Sequence, residues 1–198
     1  MSNLNNLREV MKKENVDYYI IPSGDSHQSE YVPEYYKGRA YVSGFTGSAG
    51  TLLVGLEESY LWTDGRYFIQ AEKELNGSGI KLMKMNIPGY PSLLEWIKNN
   101  VKEGKTLAFD GSTISVNEYK NYKELAKKNG FNIKMDKDFL NEIWSDRPEL
   151  SKEKIFIHDT KYCGKFASEK LEEVRAEMTT LEGENYVVTS LDDIAWLI

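Results

Sequence analysis

Arg66 is the first residue in this chain whose type and setting point to chemistry. It closes the run Leu61-Trp62-Thr63-Asp64-Gly65-Arg66, just after an Asp-Gly pair that turns the chain. Thr63-Asp64 can cap a helix running from Gly65 to about Leu75. An arginine in the first turn of that helix opposes the dipole, at a cost of a few tenths of a kcal/mol and up to about 1. Two partners can offset the cost. One is a salt bridge to Asp64 or Glu72, and the other is a carboxylate or carbonyl of a ligand. The residues alone leave both open.

Asp25, His27 and Glu30 form the second polar group. A metal centre needs several His, Cys, Asp or Glu side chains converging. The chain has only two histidines, His27 and His158, and one cysteine, Cys163. It contains neither H-E-x-x-H nor C-x-x-C, so no metal site is expected in it. His27 reads instead as a loop histidine bonding its neighbours.

Gly44, Gly47 and Gly50 lie in Ser43-Gly44-Phe45-Thr46-Gly47-Ser48-Ala49-Gly50-Thr51. A phosphate loop would continue into Lys-Ser/Thr and a helix, whereas this one continues into a strand. Ser48 is not centred in G-x-S-x-G, which excludes a nucleophile elbow. The glycines therefore read as a scaffold for a tight loop. Tyr31, Tyr35, Tyr36 and Tyr41 read as packing between loop and sheet.

These loops need a framework. Leu4, Leu7, Val10 and Met11 predict a helix over 3–14. Asp17 to Ile21 predicts a strand, and Ser23 to Tyr36 a loop with a helical turn. Thr51–Val54 and Tyr60–Thr63 predict a hairpin across Gly55-Leu56-Glu57-Glu58. Then come a strand over 80–85, a helix opened by Pro91 at its first position, and a strand over Thr106–Phe109. A helix over 116–128 and a strand over Phe131–Met135 complete the series. A hairpin followed by alternating helices and strands predicts a mixed sheet flanked by helices, an α/β fold.

Residues 144 to 154 are polar, contain Pro148 and read as a linker. Beyond it a helix over Lys165–Met178, a strand over Asn185–Thr189 and a helix over Leu191–Leu197 are expected. Leu171-Glu172-Glu173-Val174 leading to Asn185-Tyr186-Val187-Val188 echoes Leu7-Arg8-Glu9-Val10 leading to Asp17-Tyr18-Tyr19-Ile20, a weak internal repeat. The chain ends on Trp196-Leu197-Ile198 inside an uncapped helical pattern, which predicts a second unit cut short.

Composition narrows the function classes. The 198 residues are 28% charged and carry a net charge of −6, which argues against a nucleic-acid partner. No run approaches the ~18 apolar residues of a membrane helix, and the N-terminus has no apolar signal segment. One cysteine allows no internal disulfide and suits a reducing compartment. The expectation is a cytoplasmic protein with neither a nucleic-acid nor a membrane partner.

Three stretches resemble a known family. They are Ile21-Pro22-Ser23-Gly24-Asp25-Ser26-His27-Gln28-Ser29-Glu30-Tyr31, the glycine loop, and Leu61-Trp62-Thr63-Asp64-Gly65-Arg66-Tyr67-Phe68-Ile69-Gln70-Ala71. With Leu82-Met83-Lys84-Met85, Ile143-Trp144-Ser145-Asp146-Arg147-Pro148 and Leu191-Asp192-Asp193-Ile194-Ala195-Trp196-Leu197, they resemble the N-terminal region of cytosolic three-domain Xaa-Pro aminopeptidases (aminopeptidase P) along the whole chain. The resemblance implies two creatinase-type N-terminal domains with a ribonuclease H-like mixed sheet, over residues 1–148 and, incompletely, 152–198. It implies a third, pita-bread catalytic domain outside this chain. That domain would hold two divalent metal ions, usually manganese, and remove the residue before a penultimate proline.

On this resemblance the chain alone is inactive and has no catalytic residue or metal ligand. Arg66 would contact bound peptide from the N-terminal side. His27 and Arg39 match the pattern and are assigned to loop structure. The domain would shape the substrate entrance and subunit contacts, with its own catalytic domain and a second copy, in a homodimer, as partners. A non-catalytic binding module of the same architecture and a prolidase or creatinase relative remain as alternatives.

Overall fold

The computed structural model describes residues 2–198. Residues up to Glu149 form one compact unit and Leu150–Ile198 another.

In the first unit six strands form one sheet in the order β4-β3-β2-β1-β5-β6. They are β1 (Tyr18–Pro22), β2 (Thr51–Gly55), β3 (Ser59–Thr63), β4 (Ile80–Lys84), β5 (Thr106–Phe109) and β6 (Asn132–Lys134). β2 runs antiparallel to β1 and β3, and every other neighbouring pair is parallel. The hairpin closes where the Gly55 N–H donates to the Glu58 carbonyl.

Strand side chains alternate between two covered faces. Tyr19, Ile21, Leu52, Val54, Leu61 and Ala108 join the apolar side chains of α1 (Asn3–Lys13) and α2 (Gly38–Ser43) on one face. Ile20, Leu53, Trp62, Leu107 and Phe109 pack with Trp96 and Ile97 of α4 (Leu93–Asn100) and Tyr122 of α5 (Val116–Asn129) on the other. Both faces are buried, so β1 reads as a continuous apolar run rather than an alternating one. Each buried Leu, Ile or Phe contributes roughly 1.5–3 kcal/mol.

Helix ends follow local chemistry. Ser115 and Glu118 form a reciprocal capping box on α5, and Gly130 ends it in the left-handed region. α4 is also opened by a capping box, Ser92 with Glu95, and not by Pro91. Pro91 lies one residue before the cap, where its carbonyl accepts the Trp62 indole N–H at 2.8 Å.

Three further departures concern the first unit. α3 (Phe68–Glu74) begins three residues later than the sequence suggests. The Asp64 carboxylate accepts the Arg66 backbone N–H at 3.0 Å and holds residues 64–67 in a turn instead of a helix. Short α2 and α6 (Leu140–Ile143) were not expected. The start of the supposed linker is also packed. Trp144 stacks on Tyr41 with centroids 4.3 Å apart, and the Arg147 side chain is 7% exposed.

The second unit contains α7 (Thr160–Cys163), α8 (Ala167–Thr180) and α9 (Leu191–Leu197). The strand expected over Asn185–Thr189 does not form. Among the described residues this unit has no strand, and Tyr186 and Val187 are exposed. A strand needs a neighbour for its N–H and C=O groups, and this segment has none. Lys170 joins α8 to α9 by donating to the Trp196 carbonyl, with its ammonium 4.4 Å from the Trp196 ring centroid.

Candidate functional site

Five of the six strands point the same way, so their carboxyl ends share one edge of the sheet. In open α/β sheets ligands bind outside that edge, where strand order reverses. Here the reversal lies between β1 and β5. The space at that point is only ≈ 20 Å³, room for about one water. Arg147 closes it. Its Nη1 donates to Asp138 and, at 2.8 Å, to Asn141, and its Nε donates to the Tyr35 carbonyl at 2.8 Å. Its guanidinium lies 3.7 Å from the Tyr35 ring centroid.

The open cavity lies beside this plug. It is a cleft of ≈ 540 Å³ bounded by the end of β1, residues 30–41, the glycine loop and Trp144. The loop's glycines are required by backbone at Gly44 and by space at Gly47 and Gly50. Gly44 ends α2 at φ +74°. A Cβ on Gly47 would sit 2.4 Å from Phe45 Cζ and 2.7 Å from Tyr67 Cδ1, and one on Gly50 2.7 Å from the Trp62 carbonyl. Glu74 ties the loop to α3, accepting the Thr46 N–H at 2.9 Å and its hydroxyl at 2.8 Å.

Arg39 lies in α2, 6% exposed, at the inner wall of the cleft. Its Nε donates to Ser23 Oγ at 2.7 Å, Nη1 to the Phe45 carbonyl at 3.0 Å and Nη2 to the Gly47 carbonyl. Burial pushes this guanidinium down to about 10, while Glu74 acts in the opposite direction. It stays charged at neutral pH and clamps the glycine loop through neutral oxygens.

His27 is exposed, with Nδ1 3.3 Å from Ser26 Oγ. Asp25 beneath it is buried and accepts the backbone N–H groups of His27 and Ser29 at 2.9 and 3.0 Å. Burial raises the Asp25 pKa, but these N–H bonds outweigh it and leave the carboxyl below its usual value. Among the described residues no three His, Cys, Asp or Glu side chains gather to hold a metal.

Arg66 sits in the β3–α3 turn with its side chain 69% exposed. Asp64 grips it side-on, accepting from Nε at 2.9 Å and Nη2 at 2.8 Å. That bond keeps the guanidinium pKa above its ordinary value. Next to it, the Tyr67 hydroxyl lies 2.6 Å from Ser48 Oγ, which lines the cleft. Of the three candidates from sequence, Arg39 lines the cleft, and His27 and Arg66 do not. Arg147 and Trp144 lie in a stretch whose composition reads as linker, yet Arg147 lines the space at the strand-order reversal and Trp144 the cleft.

An open mixed sheet with helices on both faces and its polar loops on one edge defines an α/β domain. The chain belongs to the creatinase/prolidase N-terminal domain family, whose profile matches residues 3–136, and a second profile of the same description matches residues 146–198. The chain is 44% identical over 186 residues to aminopeptidase P2 of Arabidopsis thaliana, covering 92% of this chain and 26% of that protein. It is 41% identical over 201 residues to Xaa-Pro aminopeptidase 1 of Dictyostelium discoideum, covering 97% and 32%. It thus spans about a third or less of the relatives it matches. The X-prolyl aminopeptidase of Caenorhabditis elegans, described as a cytosolic enzyme with a di-nuclear active site, superposes with a TM-score of 0.84 at 31% identity, covering 98% and 33%. The N-terminal domain of peptidase PepQ from Mycobacterium tuberculosis shares the fold, with a TM-score of 0.54 at 18% identity, covering 71% and 97%.

Proposed function

We propose that this chain is the N-terminal, non-catalytic part of an Xaa-Pro aminopeptidase, with domains over residues 1–148 and 152–198. In this reading the whole enzyme removes the residue before a penultimate proline, and this part shapes the substrate entrance and subunit contacts. Its partners are the enzyme's own catalytic domain, a second copy in a homodimer, and the peptide. The described side chains offer no cluster that fits a dinuclear metal centre. In this reading the metal pair, manganese, is held by the catalytic domain, and no chemical step is assigned to these residues. A cytoplasmic location accords with the cytosolic relative, and no described helix is long and apolar enough to cross a membrane.

One observation carries the role of Arg66. Asp64 occupies the Nε and Nη2 edge of an exposed guanidinium and leaves Nη1 without a hydrogen-bond partner among the described residues. An arginine held this way keeps N–H groups aimed outward for a peptide carbonyl or carboxylate. In the full-length enzyme, Arg66→Ala is expected to lower kcat/KM for Xaa-Pro peptides by about tenfold to a hundredfold. An unchanged kcat/KM would sink the contact. The purified 198-residue chain with manganese added is expected to release no amino acid from the same peptides, and measurable turnover would contradict the non-catalytic reading.

A further inference from the structure

We propose that the cleft beside the glycine loop is a second peptide site. It takes the trailing residues of an extended substrate by seating a proline ring among tyrosine and tryptophan side chains. The proposal rests on the aminopeptidase reading, which supplies the peptide.

The cleft has the size of a ligand site, ≈ 540 Å³. Tyr31, Tyr36, Tyr41 and Trp144 line it. Packing within the domain does not account for all of them. Tyr41 and Trp144 stack on each other and remain half-buried, but Tyr31 is 82% exposed. Flat aromatic side chains bind proline rings well, because the ring and an extended peptide backbone are already ordered before binding. They also lose little rotational freedom themselves.

The cleft lies near Arg66. Ser48 lines it, Ser48 Oγ meets the Tyr67 hydroxyl, and the Arg66 guanidinium lies 5.3 Å from the Tyr67 ring centroid. An extended peptide advances ~3.3 Å per residue, so one that touches Arg66 enters the cleft within a few residues. An aminopeptidase works at the N-terminus, so the part left to be held is the C-terminal tail.

Charge adds a preference. Among the acidic groups lining the cleft, Glu34 pairs with Lys37, whereas Glu30 has no ion-pair partner among the described residues. Behind them Arg39 is engaged by the glycine loop. The formal charges lining the cleft balance, Glu30 and Glu34 against Lys37 and Arg39, and the exposed Glu30 carboxylate is the group that a basic residue in the tail would meet.

The test uses the full-length enzyme and two substrates, a tripeptide and an extended peptide that continues the same sequence into a proline- and lysine-bearing tail. Tyr31→Ala is expected to raise KM for the extended peptide about fivefold more than for the tripeptide. Glu30→Gln is expected to abolish a preference for lysine over glutamate in the tail. Equal shifts for both substrates, or no shift for either, would overturn the second site. Arg66→Ala separates the two readings, because it should slow both substrates alike. Its failure to do so removes the Arg66 contact and leaves the Tyr31 comparison standing.

Discussion

Asp64 holds Arg66 three times. Its carboxylate accepts from the Arg66 backbone N–H, from Nε and from Nη2, at 3.0, 2.9 and 2.8 Å. The backbone bond makes the turn, and the side-chain bonds aim the guanidinium. The two partners that the sequence leaves open for Arg66, an Asp64 salt bridge and a ligand, are therefore compatible, since different N–H groups serve each.

Asp64→Asn separates the two roles. An amide still accepts one bond and preserves the turn, but it loses the charge and one acceptor. In the full-length enzyme KM for Xaa-Pro peptides should rise about threefold to tenfold with kcat nearly unchanged. The melting temperature should stay where it is, because exposed ion pairs contribute little. If KM is unmoved while Arg66→Ala is impaired, Asp64 does not position Arg66.

Much of the framework is legible in the sequence. The strand expected over Thr106–Phe109 and the helix expected over Leu191–Leu197 occupy those residues. The departures have different physical causes. Thr63-Asp64 looks like a helix cap, but Asp64 spends its carboxylate on a turn. α2 is six residues long, too short to show a period, and so the chain around Arg39 looked like loop. Residues 144–147 have linker composition, yet their contacts are with residues 35, 41, 138 and 141. Pairings that distant leave no mark on local spacing.

Arg147 supplies the second prediction. It and Asp138 are 7% and 12% exposed, and together they close the point where strand order reverses. Removing one partner strands a buried charge. Arg147→Ala should cost about 3 kcal/mol in urea unfolding, near the lower end for broken buried pairs. Replacing both, with Arg147→Met and Asp138→Leu, should recover a large part of that loss, because the desolvation penalty goes with the charges. A double variant as unstable as the single one would show that the bonds to Tyr35 and Asn141 matter more than the ion pair.

The third prediction concerns acid. Glu14, the residue that ends α1, accepts from Lys134 at 2.6 Å and from Lys137 at 2.7 Å. Hydrogen bonds from these two lysines hold its carboxyl at about 2. In the unfolded chain a glutamate titrates near 4.3. The folded pKa is the lower one, so the unfolded state binds the proton more readily as pH falls. The stabilisation is complete above about pH 5 and disappears as pH drops toward 2. Glu14→Gln removes it at every pH. Urea midpoints of wild type and Glu14→Gln should therefore differ at neutral pH and converge between about pH 5 and pH 2. Midpoints that stay a constant distance apart across that range would mean that the Glu14 lysine pair does not couple folding to protonation.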